Sequence, residues 1–145
     1  MFSFRQATTR DKDVICRIDA TILGDTRRAE EICQAIDSGQ CYTVSYETKV
    51  SGFAIMNQSF FRQAFLSLLS VHPAYQRKGL GETLLFHLEE ICPTEKLFLT
   101  TRLSNKPMQN LCRKLGYLES GIIHNLNPNE PEILFCKKIK NAALS

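Results

Sequence analysis

An excess of charge of either sign is nearly absent from this sequence: 18 Lys and Arg stand against 15 Asp and Glu, a net charge of +3 over 145 residues. The basic residues are scattered, so nothing resembles the clustered basic face of a nucleic-acid-binding domain. A small anionic ligand remains compatible. Paired cysteines are missing too. Cys16, Cys33, Cys41, Cys92, Cys112 and Cys136 form no CxxC pair, and the chain is longer than the small secreted domains that depend on disulfides. Free thiols are expected. His72, His87 and His124 lie at ligand spacing neither to one another nor to a cysteine pair, so no metal site is expected. The first residues, Met1-Phe2-Ser3-Phe4-Arg5-Gln6, lack a basic segment leading into an apolar run. The longest apolar-rich stretch, Ala64 to Val71, carries two serines and falls far short of the ~20 residues that cross a bilayer. A cytoplasmic protein without membrane or nucleic-acid partners is the expectation.

Hydrophobic residues make up 43% and charged residues 23%, an ordinary globular balance at a length that suits one domain. We expect that domain over 1–140 and a loose tail over 141–145. Residues 2–7 read as a strand. Val14, Ile15, Ile18 and Ile22 line one face of a helix from about Thr9 to Leu23. Asp25 suits the N-cap of a second helix that ends near Asp37. Strands follow at 41–46, at 50–57 after a Glu47-Thr48-Lys49 turn, and at 64–71 after a polar turn near Asn57-Gln58-Ser59. A helix spans about Leu80 to Ile91, with Leu84, Leu85, Leu88 and Ile91 inward, and Pro93 stops it. A strand at 97–101 leads to a fourth helix that Ser104 can cap, with Met108, Leu111, Cys112 and Leu115 inward and Gly116 at its end. Strands near 117–125 and 132–139 close the chain. The order β-α-α-β-β-β-α-β-α-β-β is a mixed α/β domain.

Val71-His72-Pro73-Ala74-Tyr75-Gln76-Arg77-Lys78-Gly79-Leu80-Gly81 joins an apolar strand to an amphipathic helix. The first amides of a helix have no partner within it, and the helix dipole makes that end partly positive, which favours a phosphate. Glycine allows close approach, and Arg77 and Lys78 add charge. A Walker loop is excluded because no GxxxxGK[ST] string exists. The dinucleotide fingerprint fails for want of its third glycine. The same residues also fit a tight strand-to-helix turn flanked by solvated charge.

Two motifs in this order make the whole chain resemble the GNAT family of N-acetyltransferases. The [QR]-x-x-G-x-[GA] loop is matched by Gln76, Gly79 and Gly81, with Val71, Pro73 and Leu84 around it. The later N-x-x-A-x-x-L-Y-x-K-x-G-F pattern is matched by Asn105, Leu111, Lys114 and Gly116, with Tyr117 for the phenylalanine. The resemblance implies a mostly antiparallel sheet of six to seven strands flanked by about four helices. It implies acetyl-CoA as co-substrate, bound in an opening between the strands ending at Val71 and near Leu97–Thr101. Backbone groups of Leu69 and Val71 would hold the pantetheine arm, and an amide near Val71 would polarise the thioester carbonyl. Amides from Arg77, Lys78, Gly79, Leu80, Gly81 and Glu82 would hold the pyrophosphate. Asn105 would bond the CoA arm and Lys114 its phosphates, or Lys114 would simply be a solvated lysine. The expected reaction is direct attack of a primary amine, on a small molecule or a peptide, on the thioester. A homodimer through the C-terminal strands would follow family habit.

Two departures touch catalysis. Cys112 stands where the family often has a tyrosine that protonates the leaving thiolate, and a cysteine there also reads as core. The segment from Phe60 to Val71 has no carboxylate, where many members place a general base. Candidates elsewhere are His72, Glu47, Tyr42, His124 and Glu130, the last two in strands and loops that border the acceptor site in this family. These gaps keep open a second function, a CoA-binding or regulatory module without turnover.

Overall fold

The structure is a computed structural model that describes residues 1–139; the expected tail at 141–145, and residue 140 of the expected domain, lie outside the described residues. Seven strands and four helices follow the expected order. β1 (Phe2–Gln6) leads to α1 (Lys12–Leu23), α2 (Ala29–Asp37), β2 (Cys41–Tyr46), β3 (Lys49–Phe60) and β4 (Gln63–Val71). α3 (Leu80–Ile91), β5 (Lys96–Arg102), α4 (Lys106–Lys114), β6 (Leu118–Ile123) and β7 (Glu132–Lys138) complete it. The sheet order is β1-β2-β3-β4-β5-β7-β6. β1–β2, β2–β3, β5–β7 and β6–β7 pair antiparallel; β4 and β5 pair in parallel, Ala64–Leu66 opposite Leu97–Leu99. No described helix is long and apolar enough to cross a membrane.

The residues fall into two compact units. The first holds 1–57 and 67–88. Ile15 and Ile18 of α1, Ile32, Ala35 and Ile36 of α2, and Cys41, Phe53 and Ile55 of the sheet form its buried cluster. Ile22, expected on that face, is exposed; it lies in the last turn of α1, which ends at Leu23 before a left-handed Gly24. α1 also starts later than Thr9: residues 9–11 form a 3-10 turn. Asp11 closes that turn by accepting from the Thr8 amide at 2.7 Å and from both terminal nitrogens of Arg5 at 2.7 and 2.9 Å. Asp25 does not cap α2. Its carboxylate accepts the Arg27 amide at 3.0 Å in a local turn, and the helix starts four residues on.

Arg5 holds the Asp11 carboxyl down at about 2, against an ordinary value of 3.8. A depressed carboxylate stabilises the fold above its unfolded value and loses that contribution as pH falls through the folded one. Arg5→Gln is therefore expected to lower stability by on the order of 1 kcal/mol at pH 6, Arg5 being half exposed, and the difference from the parent should vanish towards pH 2. Denaturation midpoints across that range check this; a pH-independent difference would contradict it.

The second unit holds 58–66 and the chain from 89. The reversal between β3 and β4 is not at Asn57–Ser59 but at Phe61–Arg62, both at positive φ (52° and 65°). Two-residue hairpins favour Asn and Gly in such conformations, so propensity pointed elsewhere. Packing fixes the register instead: the Phe60 ring lies 5.6 Å from Phe65 and 4.9 Å from Phe98.

Candidate active site

In the first unit, β4 delivers the chain to the glycine loop. His72 leaves the strand with its amide on the Ser51 carbonyl at 2.8 Å, and Pro73–Tyr75 make one 3-10 turn. The Gln76 side chain reaches back and donates to the Val71 carbonyl at 3.3 Å, so it ties the loop to the end of the strand. Arg77 and Gly79 both take left-handed conformations, φ 68° and 80°. A Cβ on Gly79 would meet nothing within 4 Å; the loop is bare there and open to a ligand. The Gly79 carbonyl accepts the Thr83 amide at 3.0 Å and its hydroxyl at 2.9 Å, which starts α3. The first amides of the helix, at Leu80 and Gly81, thus point off its N-terminal end. Leu80, Leu84, Leu85 and Leu88 are buried. Leu80 rather than the exposed Ile91 completes the inward stripe. Lys78 leans its ammonium over the Tyr46 ring at 5.0 Å, and Tyr46 in turn lies 6.0 Å from Tyr75. Leu69, Val71 and residues 76–82 are thereby one continuous strand, loop and helix start.

In the second unit, Asn105 and not Ser104 caps α4: its side-chain oxygen accepts the Met108 amide at 3.2 Å. Ser104 is taken by a distant partner, its amide and hydroxyl donating to the two Glu130 oxygens at 3.2 and 2.8 Å. The Asn105 amide nitrogen is not consumed by the cap. Gln109, overlooked in the sequence, is 2% exposed and donates to the carbonyls of Arg102 and Leu103 at 2.9 and 2.7 Å. Its place one turn from Asn105 and three residues from Cys112, on the inward stripe, was the available signal. Gln109→Leu should cost about 2 kcal/mol, since it leaves carbonyls without a donor; urea denaturation measures it, and a neutral result would contradict the role.

The proton-transfer candidates separate clearly. His72 Nδ1 accepts the Ala74 amide at 3.0 Å, so a neutral His72 carries its proton on Nε2 and has no free lone pair. Cys112 is fully buried, and burial pushes its thiol up to about 12. Tyr42 stacks on Phe4 at 5.7 Å and burial raises its hydroxyl, so it stays protonated. Glu47 sits in the β2–β3 turn, paired with the Met1 amino group at 3.1 Å. His124, just past β6, is exposed, and Glu130 is half-buried on Ser104. Lys114 lies on the exposed side of α4. Tyr117 is core: its hydroxyl donates to Glu89 at 2.8 Å, which Lys137 also meets at 2.9 Å.

The sequence profile of the acetyltransferase (GNAT) family matches residues 12–117. The [ribosomal protein bS18]-alanine N-acetyltransferase of Escherichia coli K12 is 37% identical over 92 residues, a match that takes in 60% of this chain and 60% of that protein. The match thus spans less than two thirds of that relative's length. An acetyltransferase of the GNAT family from Bacillus cereus has a solved structure that superposes with a TM-score of 0.91 at 36% identity, covering 95% of this chain and 97% of that one. The solved ribosomal-protein-S18-alanine N-acetyltransferase from Escherichia coli gives 0.84 at 26% identity, over 96% of this chain and 94% of that one. With the profile running from the start of α1 to the end of the α4 motif, and a full-length structural counterpart at more than one-third identity, this chain belongs to the acetyltransferase (GNAT) family.

Proposed function

We propose that this protein is an acetyl-CoA-dependent N-acetyltransferase, acting as one domain over 1–140 in the cytoplasm. The observation that carries the reading is the bare glycine loop at the start of α3, where Gly79 faces open space beside Arg77 and Lys78 and the first turn of a helix, which does not itself pair its leading amides. These residues fit a diphosphate. The amides of 77–82 would hold it, with Lys78 free to leave Tyr46 for it, since an exposed cation–π contact is worth only about 0.5–1 kcal/mol. Backbone groups of Leu69 and Val71 would bind the pantetheine arm, and a Val71 amide would steady charge on the thioester oxygen. Asn105, through its side-chain nitrogen, and Lys114 are proposed contacts of acetyl-CoA on the resemblance of their motif.

Acetyl-CoA supplies an activated acyl group, so the protein's task is to orient it and accept the proton of the attacking amine. His72, Tyr42 and Cys112 are unsuited as bases for the reasons above. Glu130, held on Ser104, and His124 keep acceptor capacity, and we assign the proton to one of these two. The E. coli relative is named for an alanine of a ribosomal protein, which makes a peptide α-amine the first acceptor class to try. The exposed Leu118 and Ile122 on edge strand β6 are where a homodimer contact would form.

Asn105 separates cap from ligand. Asn105→Asp keeps the cap oxygen and loses the donor, so acetyl-CoA should bind roughly tenfold more weakly at unchanged stability. Asn105→Ala should in addition lose about 1 kcal/mol of stability. Calorimetric titration beside thermal melts reads both; equal affinity in parent and Asn105→Asp would remove Asn105 from the site. Residues 60–71 carry no carboxylate and Cys112 is fully buried where a tyrosine acid would stand, which favours a second reading, a CoA-binding module that does not turn over; tight binding with no product across a broad amine panel would establish it.

A further inference from the structure

α1 and α2 pack through Ile15, Ile18, Ile32 and Ala35, and beside that contact each helix contributes one cysteine. Cys16 and Cys33 are both free and both partly exposed; Lys12 pairs with Asp37 at 2.8 Å and Asp19 with Arg28 at 2.6 Å, so the two helices run antiparallel, and Cys16, one turn on from Lys12, faces Cys33, one turn back from Asp37. Cys41, Cys92 and Cys112 are by contrast buried, beyond the reach of a dissolved reagent.

We propose that Cys16 and Cys33 are an oxidisable pair that closes to an intramolecular disulfide joining α1 to α2 when the protein meets a small disulfide, such as an oxidised low-molecular-weight thiol. The thiolate of one cysteine attacks the reagent's S–S bond; a mixed disulfide forms and one reagent sulfur departs as thiol. The second cysteine then attacks the protein sulfur of that mixed disulfide and expels the other reagent thiol. Two electrons pass from the pair to the reagent, and the two thiol protons end on its sulfurs. Burial and the neighbouring Cys33 push the Cys16 thiol up to about 11, so little thiolate is present at neutral pH and closure is followed over hours. The bond adds a second covalent link between the two helices, beside the turn between Gly24 and Arg28.

The test incubates the full chain with oxidised glutathione, caps the remaining thiols with N-ethylmaleimide under denaturing conditions, and maps peptides by mass spectrometry. The expected result is one linkage, Cys16 to Cys33, with the other four cysteines capped and the link reversed by dithiothreitol. The thermal midpoint of the oxidised form should rise by roughly 5–10 °C, as for closing a loop of this length. Cys33→Ser should show neither the link nor the rise. Glutathione adducts or capped thiols at 16 and 33 without a link, or a link from Cys16 to Cys41, would overturn the proposal. The readouts do not involve acetyl-CoA, so they stand or fall apart from the function proposed above.

Discussion

Gly81→Glu is expected to weaken acetyl-CoA binding at least a hundredfold while the fold survives intact. Gly81 is the second residue of α3, among the amides that we assign to the pyrophosphate. A glutamate there adds bulk and a negative charge where a diphosphate must approach; a loss of about 3 kcal/mol is a factor of a hundred or more. The same change favours the helix. Glutamate is a better helix former than glycine by roughly 0.5–1 kcal/mol, and an acidic side chain suits a helix N-terminus. Stability should therefore hold or rise as affinity collapses, which separates a binding defect from misfolding. Calorimetry and a thermal melt on one preparation decide it. A variant that binds normally would take the site away from this loop.

Arg28→Ala should produce the largest loss of stability, about 2–3 kcal/mol. The Arg28 guanidinium donates to both oxygens of Asp19 at 2.6 and 3.3 Å. The Asp19 side chain is 2% exposed while that of Arg28 is 28% exposed. Removing the arginine strands a buried carboxylate, and breaking such a pair is costly because the remaining charge has no partner; the partial exposure of Arg28 trims the figure. Asp19→Ala should cost less, since an unpaired Arg28 can turn towards water. In a domain of this size the first variant should lower the midpoint by roughly 10 °C. Equal effects of the two variants, or a shift below 2 °C for Arg28→Ala, would contradict this account.

Much of the fold was legible because it is local. Leu84, Leu85 and Leu88 announce α3 by their spacing, and Glu47-Thr48 makes the expected turn, both residues at positive φ. Several of the misread points were decided by residues far away in sequence. Ser104 and Asn105 are both good caps, and only Glu130, 26 positions on, claims Ser104 and leaves the cap to Asn105. Phe61–Arg62 is a poor turn by propensity, and rings at Phe65 and Phe98 set it. Asp25 carries the chemistry of a cap but spends it on the nearest amide, Arg27.

The candidate site divides in the same way. The glycine loop follows from a few adjacent residues, whereas the proton acceptor depends on which lone pairs remain once the chain has folded. The sequence made His72 the nearest candidate; its Nδ1 bond to Ala74 removes it, and no spacing rule reports such a bond. The Gln76 tie to Val71 likewise gives a motif residue a structural task that the pattern alone does not reveal.

Turnover tests the central claim most directly. The purified protein is incubated with acetyl-CoA and a panel of peptides bearing free or blocked N-termini, together with small amines, and free thiol release is followed beside mass spectrometry of the acceptors. The account predicts thiol release matched by the gain of one acetyl group on an unblocked amine, and none with Gly81→Glu. Acetyl-CoA bound by the parent protein with no acetylated product on any amine would contradict the enzyme assignment and leave a binding module in its place.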